Sequence, residues 1–448
     1  MFTRRQFIKS GCAVAAAAAT SRLLASDNNA GNLAGVPGYR SLVCITLAGG
    51  ADSFNMLVPM DPSPYRHYAK RRGELALTRE ELLPLSGVDR KGQSYALHSG
   101  MSEIHSMYSA GEIAMVANVG SLPSPSAKPR EVCRPDLSHS NLIANWQHSS
   151  ADNKTRTGWA GRTADVMKRY DWLTRVPTNI SMSGRHVLQL GNNSCAANLQ
   201  SNAYRQHLSS SVSVDFSYVN EQLTERAIAF GRPRAVSRKK RLLDLTESES
   251  RIVINDAIAD VPDFKTRFSP DSFSKDLEHV AQVIAARNKL GARRQIFYIH
   301  FDGWDHHHHL LENQAKMLPI LSRGLATFRD ALIELDIFDA VTTFTTSEFA
   351  RSLEPNGGGS DHGWGGHNIV MGNGLNGGKI YGQYPDISNS SPLDTGGGCF
   401  TPTTSMDEYL AEMVLWFGIP LSDLPYVLPD LSRFWSAKSR DAPIGLFT

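Results

Sequence analysis

Three apolar runs govern what this chain can fold into. Leu42–Leu47, Gln295–Phe301 and Val341–Thr346 are each too short for a helix. Such runs read as buried strands. Each breaks off into a polar cluster. The first runs through Ala48-Gly49-Gly50-Ala51 into Asp52, Ser53 and Asn55. The second ends in Asp302-Gly-Trp-Asp305 and the run His306–His309, and the third in Ser347-Glu348-Phe349-Ala-Arg351. A glycine-rich stretch, Asp361-His362-Gly-Trp-Gly-Gly-His367, follows.

The segments between these runs have helical spacing. Met101, Ile104 and Met107 precede a further strand, Ile113–Val119. Leu137–His148 reads as a helix with Ser138 as its N-cap. In Phe273–Leu290 the residues Leu277, Val280, Val283 and Ile284 share one face. A long helix is predicted through about Ile333, short strands at Ile369–Met371 and Lys379–Tyr381, and a last helix at Met406–Phe417. Strands alternating with helices of this length imply an α/β fold, with helices on both faces of a mainly parallel sheet. That is a three-layer sandwich. The stretch 184–270 is polar and rich in Ser and Asn, and is read as a helical insertion or cap. No internal repeat is visible.

The N-terminus carries an address. Thr3-Arg4-Arg5-Gln6-Phe7-Ile8-Lys9 leads into a weak apolar run, with no carboxylate before Asp27. Residues 1–26 therefore read as a twin-arginine signal sequence. The expected location is periplasmic or secreted, and the translocase is a transient partner. The apolar run falls far short of the roughly 18–20 residues that span a bilayer, so no stable membrane anchor is expected. The remainder, 38–435, is read as one large domain. Charge is balanced at a formal +2. The basic run 232–241 has no interleaved aromatic residues, so no nucleic-acid partner is expected. Four cysteines follow the signal, Cys44, Cys133, Cys195 and Cys399, too widely spaced for a zinc knuckle.

In open α/β sheets, ligands bind beyond the carboxyl ends of the strands. The acidic and histidine clusters stand at those ends. Carboxylate oxygen and imidazole nitrogen together suit zinc, manganese or calcium. Candidate ligands are Asp52, Asp302, Asp305, His306, His307, Glu348, Asp361, His362 and His367. Asp302 and His306 are four apart, as are Asp305 and His309, so each pair shares a face if a helix has begun there. The histidine run reads equally as a solvated helix start, and Glu348 with Arg351 as an ion pair on a first helical turn. Ser138, His139 and Ser140, at a predicted helix start, are the candidate catalytic residues. A serine there can be a nucleophile that delivers an anion to free backbone N–H groups, or simply a cap. No Gly-x-Ser-x-Gly elbow and no phosphate loop is present in the required context.

Taken together, these residues resemble the bacterial family known as domain of unknown function 1501. The resemblance spans roughly 38–435. It rests on Leu47-Ala-Gly-Gly-Ala-Asp52-Ser-Phe-Asn55, Ser138-His139, Thr157-Gly-Trp-Ala-Gly-Arg162 and Gly303-Trp-Asp305-His-His307. It continues through Thr346-Ser-Glu-Phe-Ala-Arg351, Asp361–His367 and Gly377-Gly-Lys-Ile-Tyr-Gly382. Through that family the chain is distantly similar to the alkaline phosphatase–sulfatase superfamily. The resemblance implies an alkaline-phosphatase-like sandwich. It also implies a serine nucleophile at Ser138 or Ser140, a ligand pair at Asp302 and His306, and a later ligand at His362 or His367. Where the superfamily has an Asp-His pair, this chain has Glu348-Phe349, and Phe349 cannot ligate a metal. The family's usual Gly-Phe-Asp-Thr-His pattern points instead to Asp305 and His307.

Three functions are compatible with these features. One is a metal-dependent hydrolase acting on a small anionic ester of phosphate or sulfate. The second is a non-catalytic periplasmic binding or assembly protein with an incomplete metal site. The third is a single-metal structural site that binds a glycan or another anionic ligand.

Overall fold

The computed structural model describes residues 38–125, 135–151, 155–169, 174, 176–199, 249–436, 438–439 and 441–447. They belong to one compact unit, Gly38–Thr448. The expected signal sequence, Cys133 and the basic run lie outside the described residues, as does 200–248 of the polar stretch.

The strands, in chain order, are β1 (Arg40–Leu47), β2 (Leu57–Pro59), β3 (Leu82–Pro84), β4 (Tyr95–His98) and β5 (Ile113–Gly120). Next come β6 (Asn179–Ser181), β7 (Ala196–Asn198), β8 (Arg294–Phe301), β9 (Val341–Thr346) and β10 (Arg351–Pro355). The last are β11 (Ser360–His362), β12 (Gly366–Met371), β13 (Ile380–Gly382) and β14 (Thr404–Ser405). The main helices are α1 (Pro62–Arg72), α2 (Ser102–Ser109), α3 (His139–His148), α4 (Trp159–Arg169), α5 (Ser272–Ala285), α6 (Leu310–Glu334) and α7 (Met406–Phe417).

The main sheet has nine strands in the order β13-β5-β12-β9-β1-β8-β6-β7, with β14 also paired to β5. β1 lies at its centre, parallel to β8 on one side and β9 on the other. Only β12 runs antiparallel, between β5 and β9. The expected parallel sheet is therefore present with one reversed member. β7 adds an edge strand from within the polar stretch.

Strand β1 is buried along most of its length, as an apolar run covered on both faces must be. Val43 and Ile45 join a core with Phe273, Leu277 and Val280 of α5 and with Leu318, Leu321 and Leu325 of α6. On the opposite face Phe344 packs against Trp159 of α4 and Tyr409 of α7. Those two helical layers make the sandwich. The short β2-β4-β3 and β10-β11 pairs were not legible in the sequence; they have only two to five residues of pairing and no periodicity to read.

Two local expectations are corrected. Helix α6 begins at Leu310, after His309 in a left-handed conformation (φ +54°). Residues 302–309 form a loop, so four-residue spacing places neither Asp302 with His306 nor Asp305 with His309 on a helical face. The predicted helix Phe273–Leu290 likewise ends at Ala285, with a separate turn Arg287–Leu290 stopped by Gly291.

Candidate metal centre

The carboxyl ends of β1, β8 and β9 open onto one place. Gly49 and Gly50 leave β1 there with φ of +115° and +80°. A Cβ on Gly49 would stand 2.3 Å from the Asp305 backbone nitrogen, and one on Gly50 would stand 1.9 Å from the Phe349 ring. Only glycine lets the β1 turn approach the 302–309 loop this closely.

Into this place come His139 from the first position of α3, Asp305 from the loop after β8, and His362 from the end of β11. One ligand atom from each lies within 4.8 Å of the others. His139 Nε2 is 3.6 Å from Asp305 Oδ1, and His362 Nε2 is 4.0 Å from the same oxygen. His307 joins the edge of the group, its Nε2 3.2 Å from Asp305 Oδ1 and 3.0 Å from His362 Nε2.

The other ring nitrogens turn outward to acceptors. His139 Nδ1 meets Glu348 Oε1 at 3.1 Å, and His362 Nδ1 meets the Leu137 carbonyl at 2.8 Å. His307 Nδ1 is 3.4 Å from Asp361 Oδ1. An imidazole that donates its Nδ1–H to such an acceptor keeps its Nε2 lone pair for the centre; this is how ligating imidazoles are oriented in metal sites. A tetrahedral zinc ion with bonds near 2.0–2.1 Å would hold its ligands about 3.3 Å apart. The contacts of Asp305 Oδ1 with the three imidazoles, 3.2–4.0 Å, and of His307 Nε2 with His362 Nε2, 3.0 Å, lie around that edge.

Two neighbours shape the site. Arg351 is fully buried and donates to the Gly49 carbonyl (2.9 Å), the Gly50 carbonyl (3.0 Å), the Ser360 carbonyl and Asp305 Oδ1. A cation at the centre would share Asp305 with this guanidinium. Phe349 stacks on His362 with ring centroids 4.4 Å apart. Partial burial, reinforced by repulsion from His139, Arg351 and His307, holds His362 below the ordinary imidazole range. The neutral form is the one that ligates. Hydrogen bonding from Asn356, then from His307, lowers the Asp361 carboxyl.

The remaining candidates stand elsewhere. Asp302 pairs with His300, 3.0 Å away, and is not in the group. His306 is buried beside Trp304, and neither ring nitrogen makes a hydrogen bond among the described residues. Burial, then Arg351, lowers its pKa to about 4. His367 is a core histidine: it stacks on Tyr384 and accepts the Asn118 N–H at Nδ1 (3.1 Å), and burial lowers its pKa to about 3. Asp52 is fully buried against Arg72, which also binds the Ser352 and Leu353 carbonyls. Glu348 touches His139 and the Gly49 N–H (2.7 Å), so it supports the group from behind. Ser138 caps α3, accepting from the Asn141 N–H at 3.4 Å and donating to Asp136 at 2.9 Å. Ser140 is exposed on the first turn. Sequence reasoning did not find the role of Leu137, since a carbonyl leaves no mark in residue type. Nor did it pair Arg351 with Asp305.

No helix among the described residues is long and apolar enough to cross a membrane. Several solved structures follow a similar chain course. One is the C-terminal periplasmic domain of EcEptC from Escherichia coli, in complex with Zn; identity is 8%, coverage 86% of this chain and 84% of that chain, and the TM-score 0.37. Another is the lipoteichoic acid synthase LtaP from Listeria monocytogenes, at 10% identity, 81% and 74% coverage and a TM-score of 0.33. A third is the PsFucS1 sulfatase from Pseudoalteromonas sp., at 10% identity, 87% and 69% coverage and a TM-score of 0.36. No curated protein matches the sequence. The sequence pattern of one family does match, over residues 39–395, and the chain belongs to that family, the "Protein of unknown function (DUF1501)".

Proposed function

We propose that this protein is an exported, metal-dependent hydrolase of phosphate or sulfate esters, its centre built from His139, Asp305 and His362 with His307 beside them. The observation that carries this reading is the convergence of imidazole Nε2 atoms on Asp305 while each Nδ1 faces an acceptor. Imidazole-rich donors favour zinc or manganese over calcium, which prefers an all-oxygen shell. A bound divalent ion supplies a Lewis acid for the ester oxygens and for the charge that develops on them.

The chain's own residues do the rest. Glu348 and the Leu137 carbonyl hold His139 and His362 in one tautomer and orientation. Arg351 fixes Asp305 and keeps positive charge beside the place an anionic ester would take. The first turn of α3 adds backbone N–H groups on the same side. Of the two serines, Ser138 is committed to capping, so Ser140 is assigned as the nucleophile. Arg4-Arg5 supports export by the twin-arginine route. That route carries folded cargo, which suits ligands spread from His139 to His362, because such a site exists only after folding.

A second reading, a non-catalytic binding protein, is favoured by the ion pair of Arg351 with Asp305 and by Phe349 against His362. One experiment separates the two. Metal content of the purified full chain is measured by mass spectrometry, alongside hydrolysis of aryl phosphates and aryl sulfates. The hydrolase reading expects bound metal that His362→Ala abolishes, and turnover that Ser140→Ala abolishes with metal retained. Glu348→Gln is expected to weaken metal binding about 10–100-fold. Metal without turnover selects the binding reading, and absence of metal from the wild type overturns the centre itself.

A further inference from the structure

A second concavity lies where the β5 end meets the loop 383–403 and the start of α7. It is a groove of about 560 Å³, within the range of small-molecule sites. Its polar wall is made by Gln383, Asp386, Thr401, Thr403 and Glu408, and no Lys, Arg or His lines it among the described residues. Thr401 is only 2% exposed, and its Oγ1 has no hydrogen-bond partner among the described residues. A buried hydroxyl left unpaired costs free energy that a ligand can recover. The apolar side presents Leu122, Pro402 and Phe434.

We propose that this groove binds a neutral saccharide, a mono- or disaccharide unit. Among the described residues the charge of the wall is negative only, which disfavours an anion. Both carboxylates are already engaged at home. Asp386 accepts the Ser388 N–H (2.9 Å) and O–H (3.0 Å), and Glu408 accepts the Ser405 N–H (3.0 Å) and O–H (2.9 Å). That local pairing reduces their pull on a cation, yet each carboxylate keeps lone pairs for a ligand O–H. Thr401 and Gln383 offer donors in return. A sugar ring has hydroxyls at its rim and C–H groups on its faces, and it matches a groove with acceptors on one wall and Phe434 and Pro402 on the other.

The groove also adjoins the histidine group through packing. Leu122, which lines it, shares a buried cluster with Trp364 and Cys399, and Leu137 and Phe434 pack on that cluster. Leu137 is the residue whose carbonyl orients His362. The proposal does not depend on hydrolysis or on metal, and its test is arranged accordingly.

The full chain is titrated by calorimetry with maltose, cellobiose and N,N′-diacetylchitobiose, and with spermidine and inorganic sulfate for comparison. Saturable binding of at least one disaccharide is expected. Thr401→Val keeps the shape, removes only the unpaired hydroxyl, and is expected to weaken binding about tenfold with an unchanged melting temperature. Gln383→Ala, at an exposed position, weakens it as well. His362→Ala, which disables the metal centre, leaves sugar binding unchanged. The proposal is overturned if none of the disaccharides binds, if Thr401→Val binds as the wild type does, or if only spermidine or sulfate binds.

Discussion

Arg351 shows how one side chain assembles a site. Its guanidinium reaches two carbonyls of the β1 turn, one of β11, and Asp305. The sequence suggested a pair with Glu348, three residues away, which local spacing permits. The fold instead gives Glu348 to His139 and Arg351 to Asp305. Both choices follow from Gly49 and Gly50, whose missing side chains leave room for the 305 loop and for Phe349. Gly50→Ala tests this. The new methyl meets the Phe349 ring that stacks on His362, at a φ that side chains rarely adopt. A loss of about 2 kcal/mol or more in urea unfolding is expected, together with weaker metal binding. Wild-type stability in this variant would show that Phe349 yields freely and that the close approach is unimportant.

Helices α3 and α7 were readable as elements because their signals are local. Ser138 caps α3, and Ser405 caps α7 in a reciprocal box with Glu408. Ser405→Ala is expected to cost about 1 kcal/mol, read as a lower denaturant midpoint with unchanged slope. The same local reading failed at 302–309. Gly303 (φ +102°) and His309 (φ +54°) hold left-handed backbone there, and α6 starts only afterwards. Asp305 and His307 then meet within a tight turn, two residues apart, with the His307 N–H on the Asp305 carbonyl at 3.1 Å. The side chains of Asp302 and His306 turn instead to His300 and to the Trp304 side of the core.

At the scale of the whole molecule, the seam between α3, α4 and α7 carries a buried acid. Asp407 is fully buried at the start of α7, and its Oδ1 accepts from Ser149 at 2.5 Å. Asp430, Arg162 and Glu408 are the charged groups around it. Burial pushes its pKa up to about 7 from an ordinary 3.8. The folded chain therefore holds a proton that the unfolded chain releases, and this contribution to stability is lost as pH rises from about 4 through 7. Asp276, raised by burial to about 7, acts in the same sense. His186 and His367, lowered by burial to about 4 and about 3, act in the opposite sense. The difference between Asp407→Asn and the wild type isolates the one group. The variant is expected to gain stability relative to the wild type between pH 5 and 7.5, read by urea unfolding at both pH values. A constant difference across that range would refute the assignment.

The amino-acid sequence alone determined what depends on neighbours along the chain. Apolar runs of six to eight residues became the central strands, a serine before an amphipathic stretch became a cap, and the alternation of both required a covered parallel sheet. It also limited the chemistry to a short set of acids, histidines and serines. Only the tertiary structure decided which of them meet. His139, Asp305 and His362 are brought together because the sheet order places β8, β1 and β9 side by side, so that loops far apart in sequence open at one edge. Contacts of that kind are set by strand order and by the space two glycines leave. Neither is encoded in the spacing of the residues that make the contact.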